Sequence, residues 1–202
     1  MPEIRLDGRV VLVTGATQGI GEAIARAATE AGAAGIALTG RNAARGAAVA
    51  AELARTTRTH FVAADLSDAE APARIVAEAS AALGTIDGLV NAAGLTDRGT
   101  LEDTPVALWD RLFAVNARAP FLLMQQVVRG LKAAGKPGAI VNVITMSSHG
   151  GQPFLTGYSA SKGALATLTK NAAHAERAAR IRVNGINLGW ADTPGEHAIQ
   201  AK

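Results

Sequence analysis

Short aliphatic runs alternate with longer, alanine-rich segments along the chain, and this alternation limits the possible folds more than any other feature. Short apolar runs indicate buried strands, whereas apolar residues recurring every third or fourth position indicate amphipathic helices. Strands are predicted over residues 9–14, 35–39, 60–63, 88–91, 139–144 and 182–187. Helices are predicted over residues 19–31, 43–55, 69–83, 105–134 with a bend near Pro120, and 158–178. The pattern predicts an α/β fold, with residues 1–202 forming a single dinucleotide-binding domain built on a Rossmann-like, doubly wound parallel sheet.

Composition and charge exclude several classes of protein. The chain has 202 residues, of which 49% are apolar, so it can bury a substantial core. Cysteine is absent, which excludes disulfides and thiolate metal sites. The net charge is only +3 and the arginines are scattered, so no nucleic-acid partner is expected.

The histidines and the N-terminal segment exclude further classes. His60, His149, His174 and His197 lie far apart and have no acidic or histidine neighbours at ligand spacing, so no metal site is expected. No apolar run approaches the roughly 20 residues that a spanning helix needs, so no membrane association is expected. The start of the chain has neither the basic segment nor the apolar run of a signal peptide, which predicts a cytoplasmic location.

A glycine-rich loop, "TGATQGIG", connects the first predicted strand to the first predicted helix. Glycines there let the backbone approach a ligand closely, and the helix N-terminus offers free N–H groups to a pyrophosphate. The segment therefore predicts a dinucleotide site that includes Gly15, Thr17, Gln18, Gly19, Ile20 and Gly21. The alternative is that the glycines serve only close packing of helix against strand.

The ends of the second and third strands bear on the choice of cofactor. In folds of this kind an acidic residue after the second strand binds the ribose hydroxyl of NAD, but here Gly40 takes that place and Arg41 follows. A guanidinium suits a 2′-phosphate, so NADP is predicted and NAD is the weaker candidate. Arg41 could also be an exposed arginine at a helix start. Asp65, with Leu66 beside it, could contact the adenine, although Asp65 or Ser67 could equally cap the next helix.

Four segments together resemble the short-chain dehydrogenase/reductase family, from about residue 4 to residue 195. "TGATQGIG" matches its cofactor loop, and "NAAG" matches its Asn-Asn-Ala-Gly element, with Ala92 for the second asparagine. "VNARAPFLL" matches the segment that carries a catalytic asparagine, and "YSASKGAL" matches the Tyr-x-x-x-Lys signature. The resemblance implies an NAD(P)-dependent oxidoreductase acting on a small alcohol or carbonyl compound, with Asn91 and Gly94 at the cofactor.

The resemblance also implies roles for Tyr158, Lys162 and Asn116. Tyr158 is the only tyrosine, and Lys162 follows it by four positions, so the two share a helix face. A nearby ammonium stabilises a phenolate and lowers the pKa of the phenol, which suits Tyr158 to acid-base catalysis. In the family the lysine also holds the nicotinamide ribose, and the asparagine, here Asn116, holds a water that links the lysine to solvent. From the sequence alone, Asn116 could instead mark a bend or a cap.

Some positions depart from the family pattern. The serine expected thirteen residues before the tyrosine is replaced by Thr145, whose hydroxyl could still bind the substrate oxygen, and Ser147 competes for that role. After the sixth strand Leu188 replaces a proline, while Gly189 and Thr193 match residues that close over the cofactor. Trp190 is expected either to cover the nicotinamide or to pack in the core.

The family resemblance also bears on the length of the chain and on its assembly. Relatives continue for several tens of residues, so the fold is expected to lack the final helix and strand, either because the sequence is part of a longer protein or because the chain ends at Lys202. The family pairs the equivalents of the fourth and fifth predicted helices between subunits, which implies a homodimer or homotetramer. A catalytically weak nucleotide-binding protein with a regulatory or scaffolding role is the alternative to an enzyme.

Overall fold

Six strands form one parallel sheet in the computed structural model, which describes residues 4–193. The strands are β1 (Val10–Thr14), β2 (Gly35–Gly40), β3 (Arg58–Ala63), β4 (Gly88–Asn91), β5 (Gly138–Thr145) and β6 (Ile181–Leu188). They lie side by side in the order β3-β2-β1-β4-β5-β6, and every neighbouring pair is parallel. The predicted Rossmann-like, doubly wound sheet is confirmed, and each predicted strand is present with ends that move by at most a few residues.

Six α-helices connect these strands within the described part of the chain. They are α1 (Gly19–Glu30), α2 (Ala43–Leu53), α3 (Ala71–Leu83), α4 (Val106–Phe113), α5 (Ala119–Ala133) and α6 (Thr156–Glu176). None of the helices found between residues 4 and 193 is both long and apolar enough to cross a membrane.

The helix predicted over residues 105–134 is interrupted by a wider π turn, Ala114–Arg118, between α4 and α5. The backbone N–H of Ala119 donates to the carbonyl of Ala114, five residues earlier. Pro120 stands at the start of α5 and has no N–H, so the carbonyl of Asn116 cannot receive the usual α-helical bond from four residues later. The interruption therefore lies just before Pro120, close to the predicted bend, and Asn116 is in it.

The helices cover the two faces of the sheet because side chains along a strand alternate between them. On β1, Val11 and Val13 pack with α1 and α2, whereas Val10 and Leu12 belong to a larger core built with α3, α5 and α6. Both faces of β1 are thus buried, as expected of a central parallel strand.

The strand order reverses beside β1, and the reversal determines where a ligand can bind. β2 lies on one side of β1 and β4 on the other, so the connections after β1 and β4 leave the sheet in opposite directions. In open α/β sheets a crevice forms at the carboxyl ends of the strands where this happens. The loops that follow β1 and β4 carry the glycine-rich segment and the "NAAG" segment.

Candidate active site

A cleft of about 1070 Å³ opens at the carboxyl edge of the sheet, with walls contributed by the segments that follow all six strands. Its lining includes all but two of the residues that the sequence assigns to a site. Those present are Gly15, Thr17, Gln18, Gly19, Ile20, Gly21, Arg41, Asp65, Leu66, Gly94, Thr145, Ser147, Tyr158, Lys162, Gly189, Trp190 and Thr193. The fold therefore gathers residues from the whole length of the chain into one cavity.

Close packing accounts for two of the glycines in the loop after β1. Gly15 has a φ of +67°, and a Cβ there would stand 2.8 Å from the Cα of Ala93. A Cβ at Gly21 would stand 2.4 Å from the carbonyl oxygen of Gly15. The hydroxyl of Thr14 also accepts hydrogen bonds from the backbone N–H groups of Ala92 and Ala93, at 3.1 and 3.0 Å. The loops after β1 and β4 are thus locked together at the base of the cleft.

The same loop leaves the N-terminus of α1 open to the cleft. Gln18 is the N-cap residue of this helix, and its side chain makes no capping hydrogen bond. Gly19, Ile20 and Gly21, which form that turn, all line the cavity. The backbone N–H groups of a first helical turn and the positive end of a helix of this length attract an anion. The packing role of Gly15 and Gly21 therefore coexists with a phosphate-binding geometry.

Two arginines follow β2 at one end of the cleft. Asn42 caps α2 by accepting a hydrogen bond from the backbone N–H of Arg45 at 2.9 Å. The Arg45 guanidinium donates to the side chain of Gln18, and both Arg41 and Arg45 line the cavity. A Cβ at Gly40 would lie 2.6 Å from Cγ2 of Thr17, so this position has no room for an acidic side chain without rearrangement. The end of β2 thus favours an anionic ligand.

Asp65 folds back onto the segment that follows β3. Its carboxylate accepts hydrogen bonds from the backbone N–H and the hydroxyl of Ser67, at 2.9 and 2.8 Å. These bonds, the backbone one first, lower the pKa of Asp65, and the charges of Arg41 and Arg111 act in the same direction. The helix α3 begins only at Ala71, with no side-chain cap, so the interpretation of Asp65 or Ser67 as its cap is wrong.

Lys162 projects from α6 into the protein interior and is only 4% exposed. Its ammonium donates a hydrogen bond of 2.9 Å to the backbone carbonyl of Val143 on β5. Burial lowers the pKa of Lys162 from its ordinary value of 10.5 to about 8, because removal from water disfavours the charged form. Tyr158 lies one turn earlier on α6, and both residues line the cleft, as their spacing predicts.

Thr145 and Ser147 stand together at the end of β5. Their hydroxyl oxygens are 3.2 Å apart, and the backbone N–H of Ser147 donates to the Thr145 hydroxyl at 3.3 Å. Thr145 is buried at the end of the strand, whereas Ser147 is half-buried in the 3₁₀ turn Met146–Ser148. Both line the cleft, so each remains a candidate for binding a substrate oxygen.

Asn116 lies behind the wall of the cleft and holds three segments together. Its side chain accepts a hydrogen bond from the backbone N–H of Leu95 and donates one to the carbonyl of the same residue, both at 2.9 Å. It also donates to the Ser161 hydroxyl at 3.0 Å. The Asn116 amide thus joins the π turn to the segment after β4 and to α6, the helix that carries Lys162.

Asn91 is likewise absent from the lining of the cleft. It is buried, and its amide donates to the Asn142 side chain at 2.8 Å. The amide of Asn142 in turn donates to the Thr169 hydroxyl at 2.9 Å. This chain of polar groups connects β4 and β5 to α6, so the structure places Asn91 among the supports of the site.

Trp190 lies at the rim of the cavity. Its side chain is 70% exposed, which rules out the interpretation of Trp190 as a core residue. Four residues that line the cleft were not predicted from the sequence: Arg45, Arg98, Arg111 and Phe154. Arg45 could have been found from its position one turn after Arg41 on the predicted second helix, whereas no local pattern marks the other three.

The residues of the cleft fit a dinucleotide cofactor. The N-terminus of α1 suits a pyrophosphate, and the arginine pair after β2 suits a further phosphate. Tyr158 and Lys162 line the same cavity, which is of the size that a large ligand needs. The groups that line the cleft therefore fit NADP.

Comparison with known proteins agrees with this geometry. Residues 9–202 match the sequence model of the family described as short chain dehydrogenase. The chain is 38% identical over 189 residues to a cis-4-hydroxycyclohexanecarboxylate dehydrogenase of Sinomonas cyclohexanicum, covering 92% of this chain and 74% of that protein. It is 34% identical over 192 residues to an NADP-dependent (R)-specific alcohol dehydrogenase of Lentilactobacillus kefiri, covering 94% and 76%.

A solved structure gives the same result in three dimensions. A gluconate 5-dehydrogenase from Burkholderia cenocepacia J2315, in complex with NADP and tartrate, superposes with a TM-score of 0.90 at 32% identity. The match covers 99% of this chain and 78% of that one, so the chain spans about three quarters of the length of these relatives. On sequence and structure together, this chain belongs to the short chain dehydrogenase family.

Proposed function

We propose that this protein is an NADP-dependent oxidoreductase that acts on a small alcohol or its carbonyl counterpart. The observation that carries the proposal is the pairing, on one turn of α6, of the only tyrosine with a buried lysine, in a cleft that also holds an arginine pair. The alcohol dehydrogenase of L. kefiri is named as NADP-dependent, and the B. cenocepacia structure contains NADP. Both relatives support the choice of cofactor.

The chain would hold NADP along the whole cleft. The first turn of α1 would bind the pyrophosphate, and Arg41, supported by Arg45, would bind the 2′-phosphate. Asp65 would accept a hydrogen bond from the adenine, while Gly94, Gly189 and Thr193 would border the nicotinamide half. When bound, NADP supplies or receives the hydride.

Tyr158 would exchange the proton of the substrate oxygen. An isolated phenol has a pKa of about 10, which makes it a weak acid-base catalyst at neutral pH. Lys162 has a pKa of about 8 and therefore stays mostly protonated at neutral pH, even though it is buried. A positive charge held in a poorly solvated place favours the phenolate of a nearby tyrosine. The Lys162 ammonium would thus lower the pKa of Tyr158 and would also hold the nicotinamide ribose.

Two further groups complete the proposed mechanism. The Thr145 hydroxyl would donate to the substrate oxygen, with Ser147 as its neighbour and competitor. Asn116 would hold the water of a proton relay through its backbone carbonyl, since its side chain is already bonded to Leu95 and Ser161. Pro120 has no N–H to donate to that carbonyl, so the carbonyl is able to accept a hydrogen bond from water.

The assembly proposed is a homodimer or a homotetramer. Val106 and Trp109 on α4 and Phe121 on α5 are large apolar residues with exposed side chains. Contact between copies of the chain through these helices would remove such surface from water.

The test is replacement of Tyr158 by Phe, which removes only the hydroxyl. Turnover of small ketones with NADPH should fall by about two orders of magnitude or more, as loss of a general acid implies, while NADPH affinity changes by no more than a few-fold. Thr167→Val, at an exposed position of the same helix, is the control and should retain turnover. Unchanged turnover in Tyr158→Phe would remove this residue from the mechanism. A wild-type protein that binds NADPH but reduces no substrate would favour the binding-only alternative.

A further inference from the structure

Arg98 is held in a defined position at the rim of the cleft. Its guanidinium lies over the ring of Phe154, with 5.3 Å between the guanidinium carbon and the ring centroid. The backbone also connects the two segments, because Gly99 donates to the carbonyl of Phe154 at 3.0 Å and Thr156 donates to the carbonyl of Gly99 at 3.2 Å. A cation over an aromatic face is stabilised by the ring quadrupole, so the guanidinium is restrained by Phe154.

Arg98 has no ion-pair partner among the residues that the structure describes. Its side chain is exposed. By contrast, Arg26 on α1 pairs with both Glu22 and Glu52. Arg98 therefore keeps its donors available, and it presents them along the lining of the cleft.

The position of Arg98 places it near the proposed reaction rather than near the phosphates. Phe154 and Leu155 directly precede α6, whose first turn contains Tyr158. On the other side, the segment of Arg98 begins at Gly94, where a Cβ would stand 3.5 Å from the Lys162 ammonium nitrogen. Arg41 and Arg45, in contrast, follow β2, and Arg45 donates to Gln18 at the start of α1. Arg98 is thus separate from the arginines proposed to bind NADP.

We propose that Arg98 binds a carboxylate of the substrate, so that the protein reduces an oxo acid or oxidises the matching hydroxy acid. This inference rests on the proposed function, because it names the substrate class of that same site. A guanidinium presents parallel N–H donors that match the two oxygens of a carboxylate. Anchoring the acid end at Arg98 would leave the carbonyl end free to reach Tyr158 and Thr145.

The negative charge of Asp97 favours a substrate with one negative charge over a substrate with two. It lines the cleft beside Arg98 and is exposed, with no ion pair to any residue in the part of the chain that the structure covers. A phosphate ester, which carries nearly two negative charges at neutral pH, would be repelled by this carboxylate more strongly than a carboxylate would. The loop therefore favours a carboxylic acid over a phosphorylated substrate.

The test compares an acid with its uncharged ester on the same protein. The probes are 4-oxocyclohexanecarboxylate and its methyl ester, which share the carbonyl and the ring and differ by one charge. Binding of each to the NADP-loaded protein is measured by calorimetry, and NADPH-dependent reduction of each is measured separately. Arg98→Gln is the test variant, Asp97→Asn removes the neighbouring opposite charge, and Arg129→Gln removes an exposed arginine outside the cleft lining.

In the wild-type protein the acid should bind more tightly than the ester. Arg98→Gln should lower this acid-to-ester ratio about tenfold, as expected for loss of a charge-assisted hydrogen-bonded pair at a partly exposed site. Asp97→Asn should move the ratio in the opposite direction, and Arg129→Gln should not move it. A ratio that is the same in the wild type and in Arg98→Gln overturns the inference, whether or not the compounds are reduced.

The two readouts separate this inference from the proposed function. Reduction of both probes with no preference for the acid would refute the role of Arg98 and leave the oxidoreductase proposal standing. An acid preference in binding that Arg98→Gln removes, without reduction of either probe or of other ketones, would support the carboxylate site and contradict the proposed activity.

Discussion

Lys162 carries its charge inside the protein, and three features of its surroundings explain how it can do so. Its methylene groups pass through the interior beside α6, while its ammonium reaches a backbone carbonyl at the end of β5. The cleft lies next to it, so a bound ligand and water can share in its solvation. Burial nevertheless lowers the pKa of Lys162, and a pKa that differs between the folded and unfolded states makes stability depend on pH.

The unfolding free energy of the protein should depend on pH through Lys162. Because the folded pKa of about 8 lies below the ordinary value of 10.5, the unfolded chain binds more protons than the folded one between these two pH values. The contribution of Lys162 to the unfolding free energy must therefore rise with pH in this window. It is lowest below pH 8. Relative to Lys162→Met, the wild-type protein should gain about 2–3 kcal/mol of unfolding free energy between neutral pH and about pH 10.

Urea denaturation of both proteins across this range measures the difference. Lys170→Met, which removes the charge of an exposed lysine on the same helix, is the matched control. A difference for Lys162→Met that is flat with pH would mean that the Lys162 ammonium is not desolvated in the folded protein.

A second prediction at the residue scale separates the two hydroxyls at the end of β5. Thr145→Val keeps the shape of the side chain and removes its hydroxyl, so turnover should fall at least tenfold if this group binds the substrate oxygen. Ser147→Ala should have a smaller effect, because in the proposed mechanism the Ser147 hydroxyl only supports that of Thr145, 3.2 Å away. Steady-state kinetics of both variants decides the assignment. If only Ser147→Ala impairs turnover, Ser147 and not Thr145 is the hydroxyl donor.

At the scale of elements, periodicity predicted every strand and most helices because each buries a distinct apolar face. It could not predict the π turn before α5, since the apolar pattern runs on through Ala114 and Val115 and only Pro120 marks the interruption. Periodicity also could not show that Asn116 and Asn91 support the cleft from behind. Their partners, Leu95 and Asn142, are brought to them by tertiary packing.

The prediction at this scale contrasts two helical glycines. Gly21→Ala forces a Cβ to within 2.4 Å of the Gly15 carbonyl oxygen, so α1 must shift away from β1 and stability should fall by about 1–3 kcal/mol or more. Gly130→Ala, at an exposed position of α5, meets nothing within 4 Å and should stabilise the protein by about 0.5–1 kcal/mol, because alanine favours the helix. Chemical denaturation measures both. Equal effects would show that the packing at Gly21 is looser than the structure indicates.

At the scale of the whole molecule, the cleft depends on a strand order that the sequence implies only through fold rules. Alternating strands and helices predict a parallel sheet, and the glycine-rich loop places a ligand after β1. The sequence does not by itself state that β4 pairs with β1, which brings "NAAG" against that loop. The rim residues Arg98 and Phe154 come together for the same reason, since their loops meet only after the sheet has formed.

Because segments that follow all six strands line the cleft, a cofactor bound there should stabilise the entire molecule. A ligand present at about 100 times its Kd adds about 2.7 kcal/mol, which for a chain of this size raises Tm by roughly 5–10 °C. NADPH at that concentration should produce such a shift in the wild-type protein. Arg41→Ala should lose most of the NADPH shift, because the 2′-phosphate loses its guanidinium, while the shift with saturating NADH should persist.

Calorimetric melting of the wild type, Arg41→Ala and Arg129→Ala, each with NADPH and with NADH, separates the explanations. Arg129 lies outside the cleft lining, so its variant should match the wild type and show that net charge alone is not responsible. Equal loss of the NADPH and NADH shifts in Arg41→Ala would refute the phosphate role of this residue. Loss of the NADPH shift alone would mean that one side chain after β2 selects the cofactor that stabilises the whole sheet.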